Sequence, residues 1–265
     1  MRFQSFLLTE GRTKRINIDE FVKNVKKKCY QILDTYKNNG WRYMYYRGIN
    51  DEFNSSFGFI QPSKYTRESK WAGHNTYTLL IDNLPSWNAF PKRSKSVIMT
   101  TNKNNAQSRA GNNIPYIIFP VNNSKIGICS KSDIWDSFPK LTSRFQLIHL
   151  NGFNRMIGEL IIWFGDEMYD QDDWNDLKKL FNTAIPDPES EEGYKAEQTI
   201  DRYDLEPFVG KKLSDAIFPY LDPKKNGFKL FTPRNKIPDS DLETWTDGDC
   251  YLLAYDHLKV IKEQL

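Results

Sequence analysis

The stretch Trp41-Arg42-Tyr43-Met44-Tyr45-Tyr46-Arg47-Gly48 is the part of the sequence that best indicates the fold. Aromatic residues are frequent in β-strands and glycine often ends one, so residues 41–47 predict a strand that ends at Gly48. Burying an arginine without an anionic partner costs several kcal/mol. Arg47 is therefore a candidate anion ligand, because a guanidinium can grip a phosphate with two hydrogen bonds, and Gly48 lets a ligand approach the backbone.

The segments around this strand predict a mixture of helices and strands. Residues 18–38 have apolar side chains at helical spacing, with Asn17 as N-cap and Gly40 as C-cap, and predict one helix. Short apolar runs predict three further strands, at 96–100, 114–121 and 250–254. Residues 183–200, with two prolines and many acids, predict a mobile loop. Helices and strands do not alternate as βαβ units, so the sequence predicts an α+β fold.

The composition excludes several classes of protein. The 265 residues are 39% hydrophobic, which is enough for a core, and they contain no run of eighteen apolar residues, so no membrane partner is expected. A net charge of +3 does not favour nucleic acid as a partner. The three cysteines and three histidines are scattered without disulfide or metal-ligand spacing. We therefore expect no metal site and synthesis in a reducing cytoplasm.

The first ten residues predict a short amphipathic helix, because phenylalanine and leucine side chains fall on one side at helical spacing. This start resembles the packaging tag of internal head proteins of large T-even-like tailed phages. A maturation protease cuts those proteins after the glutamate of a Leu-x-Glu triplet, here Leu8-Thr9-Glu10, before Gly11. The resemblance implies that residues 1–10 are a tag, cleaved in the phage head, and that the protein later enters the host cytoplasm. The alternative is an ordinary helix packed on the domain that residues 11–265 form.

Two further segments place hydroxyl and acidic side chains at predicted strands. Residues 93–102 read Arg-Ser-Lys-Ser-Val-Ile-Met-Thr-Thr-Asn, a strand that ends in two hydroxyls. Three hydroxyl side chains in this segment are candidates to bind a carboxylate or a ribose: Ser96, Thr100 and Thr101. Asp241-Leu242-Glu243 supplies acids a few residues before the strand at 250–254. Asp247 and Asp249 lie even closer to that strand, so they compete with Glu243 for the role of catalytic acid.

Taken in chain order, these segments resemble the ADP-ribosyltransferases of the Arg–Ser–Glu type. In that family an arginine ends the first core strand, often as Tyr-Arg-Gly, a Ser-Thr-Ser element ends a second, and a glutamate lies near a late strand. Tyr46-Arg47-Gly48 matches the first element well. Met99-Thr100-Thr101 matches the second loosely, because threonine replaces the usual serine, and Asp241-x-Glu243 matches the third loosely, because aspartate is an unusual upstream partner. The resemblance covers residues 40–255.

The resemblance implies an ADP-ribosyltransferase-like split β-sandwich core with an N-terminal helix and helical insertions, and with NAD bound as a substrate between two small sheets. It implies that Arg47 holds the NAD diphosphate or ribose, with Thr100 positioning Arg47 or Glu243. Glu243 then stabilises the cation that forms as nicotinamide leaves. Asp241 orients an acceptor, which favours an arginine side chain of a host protein. On this hypothesis Glu243→Gln abolishes transfer and leaves the fold intact.

Three short stretches also resemble those of a poorly described group of phage proteins: Arg67-Glu68-Ser69, Pro91-Lys92-Arg93-Ser94 and Glu243-Thr244-Trp245. Arg67 and Arg93 are accordingly candidates for additional phosphate contacts. Two alternatives to an enzyme stay open. The first is a non-enzymatic internal head protein on a decayed transferase fold. The second is a host-factor or nucleic-acid binding module that uses the basic helix containing Lys23, Lys26, Lys27 and Lys28.

Overall fold

The structure, a computed structural model, describes residues 13–49, 53, 55–64, 66, 75–110, 114–147, 150–164 and 170–265. Its helices are α1 (Ile18–Lys28), α2 (Tyr30–Asn38), α3 (Thr76–Asn83), α4 (Lys103–Arg109), α5 (Pro139–Arg144), α6 (Leu150–Phe164), α7 (Trp174–Asn182), α8 (Glu191–Arg202), α9 (Leu213–Ile217) and α10 (Leu258–Ile261). Its strands are β1 (Thr13–Arg15), β2 (Tyr46–Arg47), β3 (Phe57–Ile60), β4 (Val97–Thr100), β5 (Tyr116–Pro120), β6 (Ile126–Ile128), β7 (Lys229–Phe231), β8 (Glu243–Thr246) and β9 (Cys250–Ala254).

The chain divides into two compact units. The sheet unit consists of residues 1–68, 89–133 and 229–265, and it contains all the described strands together with α1, α2, α4 and α10. The helical unit consists of residues 69–88 and 134–228, and it contains α3 and α5 to α9. The chain therefore enters the helical unit twice. One domain over residues 11–265 stays a prediction.

The nine described strands form one antiparallel sheet, in the order β1-β3-β9-β5-β2-β4-β8-β6-β7. Strand β2 has only two residues, and it joins the half β1-β3-β9-β5 to the half β4-β8-β6-β7. The resemblance implies two small sheets. The described strands instead form one continuous hydrogen-bonded sheet, which is narrowest at β2. The α+β class is confirmed.

Helices α1 and α2 pack on the sheet through large buried side chains. Asn17 caps α1 as predicted, because its side-chain oxygen accepts a hydrogen bond from a first-turn N–H at 2.8 Å. Phe21 of α1 is fully buried, and its ring centroid lies 5.7 Å from that of Phe119 in β5. Burial of one such side chain contributes about 1.5–3 kcal/mol. The Tyr36 hydroxyl of α2 donates to the carbonyl oxygen of Ile118 at 2.5 Å, so both helices are fixed to β5.

The prediction of one helix over residues 18–38 is wrong, because the chain breaks at Cys29 into α1 and α2. The loop after β5 supplies the cause. The N–H of Asn122 donates to the carbonyl oxygen of Lys28 at 2.7 Å, and the Asn122 side chain accepts from the N–H of Gln31 at 3.0 Å. These bonds occupy backbone groups that would otherwise continue the helical ladder.

The predicted strands at 96–100, 114–121 and 250–254 are confirmed as β4, β5 and β9. The strand predicted over 41–47 is too long, since only Tyr46 and Arg47 pair. Trp41 has a positive φ of 61°, and its N–H donates to the carbonyl oxygen of Tyr36 at 2.8 Å. Trp41 and Gly40, also at positive φ, therefore close the end of α2 instead of starting a strand.

The prediction of a mobile loop over residues 183–200 is wrong, because α8 begins at Glu191. Ser190 caps this helix by accepting a hydrogen bond from the N–H of Gly193 at 2.9 Å. Ala196 and Ile200, four residues apart, are buried on one helix face. The acidic first turn complements the positive end of the helix dipole, so acids that suggested a loop stabilise a helix.

Glu159 of α6 is the centre of a charged network in the helical unit. Its carboxylate accepts hydrogen bonds from Arg155 at 3.0 Å, from Arg202 of α8 at 2.8 Å and from the Tyr203 hydroxyl at 3.0 Å. Burial alone acts to raise the pKa of Glu159. The hydrogen bonds from Arg155 and Tyr203 and the charges of Arg202 and Arg155 outweigh it, and they hold the pKa below its usual range. The network ties α6 to α8.

Candidate functional site

Strand register places the three predicted site elements on neighbouring strands. Thr100 of β4 pairs with Tyr46 of β2 on one side and with Glu243 of β8 on the other. Residues opposite each other in antiparallel strands project to the same side, with Cβ atoms about 4.5–5.5 Å apart. Tyr46, Thr100 and Glu243 therefore share one face of the sheet, whereas Arg47, the next residue along β2, projects toward the opposite face. Positions 47, 100 and 243 are thus close in space although far apart in the chain.

A small cavity lies beside Arg47. Its volume is about 30 Å³, and its lining includes Arg47, Gly48, Ile98, Thr100, Ala106 and Arg109. Arg47 is buried, and its Nη1 donates to the carbonyl oxygen of Ile98 at 2.6 Å. The space suffices for about two water molecules. Two arginines and a threonine are among the lining residues, and this composition suits an anion better than a cation.

The space at Gly48 is filled by α4. A Cβ atom at position 48 would lie 2.4 Å from the carbonyl oxygen of Ala106 and 2.6 Å from the nitrogen of Ala110. In the structure the missing side chain therefore lets a helix, and not a ligand, approach the backbone. Gly48 sets the distance between β2 and α4 and so helps to shape the cavity.

Glu243 is held in a buried ion pair. Its Oε1 accepts a hydrogen bond from Nη2 of Arg93 at 2.6 Å, and both side chains are fully buried. The other oxygen, Oε2, is buried and has no hydrogen-bond partner among the described residues. Arg93 comes from the turn Arg93–Lys95, which directly precedes β4. Arg93 was expected to contact phosphate; in this structure it contacts the candidate catalytic acid.

Trp245 fixes Arg93 against β8. The guanidinium carbon of Arg93 lies 5.6 Å from the centroid of the Trp245 ring, within the range of a cation–π interaction. The Nε1 of Trp245 donates to the carbonyl oxygen of Pro91 at 2.9 Å, and Phe90 stacks on the ring at 6.0 Å. The chain before β4 is thereby attached to the strand that carries Glu243. This attachment restricts the orientation of the Arg93 side chain.

Asp241 belongs to a second polar cluster on the segment before β8. Its carboxylate accepts hydrogen bonds from the Thr100 hydroxyl at 3.2 Å and from Nδ2 of Asn105 in α4 at 3.3 Å. The Thr101 hydroxyl donates to the carbonyl oxygen of Ser240, while its oxygen accepts from the N–H of Leu242 at 2.9 Å. Both threonines therefore bind the chain around Asp241 in this structure.

The other candidates lie around this centre or outside the described residues. The Ser96 hydroxyl donates to the carbonyl oxygen of Lys92 at 2.5 Å, which closes the turn that carries Arg93. Asp247 accepts from the N–H of Lys92 at 3.3 Å, and Asp249 accepts from Gln61 at 3.2 Å. Among the candidate acids Glu243, Asp247 and Asp249, Glu243 is the one that pairs in register with Thr100. Arg67, Glu10 and Gly11 lie outside the described residues.

Two groups near the site are not indicated by any sequence motif. Arg109, which lines the cavity, is the last residue of α4 and forms a 3.7 Å ion pair with Asp133. Asn105 lies one turn before it on the same helix and binds Asp241. The short polar pattern of α4 predicts neither contact, because both depend on long-range packing.

Burial, with a smaller contribution from Tyr255, raises the pKa of Tyr46 to about 12, so its phenol is neutral at pH 7.

No family model, curated protein or solved structure matches this chain. Within the described ranges, no three or more histidine, cysteine, aspartate or glutamate side chains are grouped so as to hold a metal ion. In the same part of the chain, none of the helices has both the length and the apolar character needed to cross a membrane. Function must therefore be inferred from the geometry of the site itself.

Proposed function

We propose that this protein is an NAD-dependent mono-ADP-ribosyltransferase. The observation that supports the proposal is the pairing of Tyr46, Thr100 and Glu243 across β2, β4 and β8. This pairing unites the three elements in which the sequence resembles the Arg–Ser–Glu transferases. Arg47, next to Tyr46, binds the diphosphate or the nicotinamide ribose of NAD, since a guanidinium offers paired donors to both.

In the proposed reaction the bond between ribose and nicotinamide breaks, and positive charge develops on the sugar. A fixed carboxylate close to that charge lowers the barrier by about 3–4 kcal/mol. Glu243 supplies the carboxylate, and Arg93 is its positioning residue, because their 2.6 Å contact leaves Oε2 available to a ribose hydroxyl. Asp241 orients the acceptor, for which we propose an arginine side chain of a host protein.

Binding of NAD requires the site to open. Pockets for ligands of this size have volumes of about 300–1,000 Å³, far more than the cavity beside Arg47 provides. Glu243 also has to become accessible, since it is fully buried. The two-residue strand β2 is the narrowest link in the sheet and the natural place for the two halves to separate. Saturating NAD is therefore expected to change amide hydrogen exchange in β2 and β4.

The test is to incubate the full chain with NAD labelled in its adenylate portion, with and without a bacterial host lysate, and to measure label transfer and nicotinamide release. We expect the wild type to transfer label and to release nicotinamide. Both rates should fall at least about 100-fold in Arg47→Met and Glu243→Gln. Glu20→Gln, at an exposed position, is the matched control and should keep full activity. Folded fractions are measured in parallel by circular dichroism. A wild-type protein that neither transfers label nor releases nicotinamide contradicts the proposal.

One observation favours a second candidate function. The Glu243 carboxylate is enclosed in an ion pair with Arg93, and neither group has exposed surface. A decayed transferase fold without catalysis would contain such a pair. That candidate is a non-enzymatic internal head protein. The same labelled-NAD assay separates the two, because the decayed fold neither binds nor cleaves NAD.

The packaging proposal depends on the sequence of residues 1–10, which the structure does not describe. We propose that the protein is carried in the phage head after cleavage between Glu10 and Gly11 and acts in the host cytoplasm after injection. Mass spectrometry of purified virions is the test. A mature chain that begins at Gly11 supports the proposal, and an uncleaved chain or none in the virion contradicts it.

A further inference from the structure

Pairing of β3 with β9 brings together two polar residues that are 201 positions apart in the chain, Ser56 and His257. Phe57 of β3 pairs with Leu253 of β9, and the N–H of Ala254 donates to the carbonyl oxygen of Ser56 at 2.9 Å. His257 lies in the turn Tyr255–His257 that follows β9 directly. The sheet therefore determines this contact, which involves none of the residues assigned to the candidate NAD site.

The contacts follow the order nucleophile, base, carboxylate. The hydroxyl of Ser56 lies 3.0 Å from Nε2 of His257, and Nδ1 of His257 lies 2.8 Å from a carboxylate oxygen of Asp256. An ionised carboxylate only accepts hydrogen bonds, so Nδ1 carries a proton. In the neutral ring Nε2 is then an acceptor, and the Ser56 hydroxyl donates to it. This is the tautomer that a serine nucleophile requires.

Neighbouring groups hold Ser56 and His257 in place. The Tyr116 hydroxyl donates to the carbonyl oxygen of Ser55 at 2.8 Å, and the ladder to β9 fixes the next residues. The ring of Phe57 meets the His257 ring edge-on, with centroids 6.0 Å apart. The side chains of His257 and Asp256 are 42% and 47% exposed, so a small molecule can reach them from solvent.

We infer that Ser56 is a nucleophile that takes an acyl group from activated esters, with His257 as its general base and Asp256 as a positioning residue. The Ser56 Oγ forms a bond to the acyl carbon while the bond from that carbon to the leaving oxygen breaks. The hydroxyl proton passes to Nε2 of His257 and then to the departing oxygen. Water releases the acyl group by the same route in reverse. Because His257 and Asp256 are open to solvent, few contacts can bind a substrate and little binding energy is available for catalysis. The substrate class is therefore esters with good leaving groups.

The test uses p-nitrophenyl acetate and the full-length protein. Acetylation of each residue is followed over time by peptide mass spectrometry, and p-nitrophenolate release is followed by absorbance. We expect acetyl on Ser56, none there in Ser56→Ala, and a rate at least about 100-fold lower in His257→Gln. Asp256→Asn should slow acetylation and Asp256→Glu should restore part of the rate, while thermal unfolding stays unchanged in both.

Ser55→Ala is the matched control, because the Ser55 hydroxyl is adjacent in the chain but donates to the carbonyl oxygen of Phe57 at 3.0 Å. It should leave acetylation of Ser56 unchanged. Acetylation of Ser56 no faster than that of Ser55, or an undiminished rate in a folded His257→Gln protein, overturns the inference. Neither outcome depends on NAD, so the result is independent of the proposed transferase activity.

Discussion

Breaking the buried pair between Arg93 and Glu243 is expected to destabilise the sheet unit strongly, whereas replacing both partners is not. Their nitrogen and oxygen atoms are 2.6 Å apart, and neither side chain has exposed surface. Removing one partner of a buried pair typically costs about 3–5 kcal/mol, because the other charge loses the ion pair that offsets its desolvation. Apolar residues in place of both partners are often neutral or stabilising, because no charge then has to be desolvated.

We therefore expect Arg93→Met and Glu243→Met each to lower the free energy of unfolding by about 3–5 kcal/mol. The double variant should lose much less than the sum, with a coupling energy of at least about 2 kcal/mol. A small loss should persist, since Arg93 also packs over Trp245. Urea unfolding gives the free energies. The two compact units need not unfold together. Hydrogen exchange in β4 and β8 is therefore measured as well, to show that the changes in unfolding free energy belong to the sheet unit.

Glu20→Gln is the control, because it breaks an exposed 3.7 Å pair with Lys14 and should cost less than about 1 kcal/mol. Single losses below about 1 kcal/mol, or a double loss equal to their sum, would refute the reasoning. The same physics corrects the prediction that Glu243→Gln leaves the fold intact. A neutral amide removes the carboxylate that pairs with the buried Arg93 guanidinium, so activity measurements on this variant need the folded fraction beside them.

Three further predictions concern packing, pH and thiol chemistry. A Cβ at Gly127 would lie 2.4 Å from the Trp245 ring, so Gly127→Ala should lower the free energy of unfolding in urea by about 1–3 kcal/mol; an unchanged value contradicts the close approach. Because the native pKa of Glu159 lies below its ordinary value of 4.5, its contribution of about 1 kcal/mol is present above that pH and lost as pH falls through the native pKa. The urea midpoints of the wild type and Glu159→Gln should therefore converge in acid, and a constant difference contradicts this. Burial raises the pKa of the Cys29 and Cys250 thiols, so iodoacetamide should alkylate them at least about tenfold more slowly in the native protein than in urea; equal rates would show accessible thiolates.

Local signals predict the elements that local chemistry determines. The Asn17 cap and the apolar runs of β4, β5 and β9 are of this kind, since each depends on residues within a few positions. The break at Cys29 could not be predicted, because it is made by a loop more than ninety residues further along the chain. The sequence does not indicate strand β8, because all four of its residues are buried although Glu243, Thr244 and Thr246 are polar, so it shows neither an apolar run nor an alternating pattern.

The candidate site was predictable in its positions but not in its contacts. The resemblance implies that the segments at 47, 100 and 243 lie together, and the register places them on β2, β4 and β8; Glu243 lies in a strand of its own and not, as expected, in the segment before the strand at 250–254. The partner of Glu243 was not predictable, since 150 positions separate it from Arg93 and no pattern marks the pair. Burial of both groups follows from Trp245 and the strand pairing, which are tertiary properties.

The order of strands in the sheet has a consequence for biosynthesis. Strand β9 is inserted between β3 and β5, and β8 between β4 and β6, although both follow the other strands along the chain. At about 5–20 residues per second, a ribosome needs roughly seven to twenty-seven seconds to pass from the end of β5 to the end of β9. During that interval β3 and β5 emerge with unpaired edges that can bind other nascent chains. The sheet therefore cannot be completed before β9 has emerged, and a stop codon shortly before β9 would leave an aggregation-prone product instead of a shortened protein.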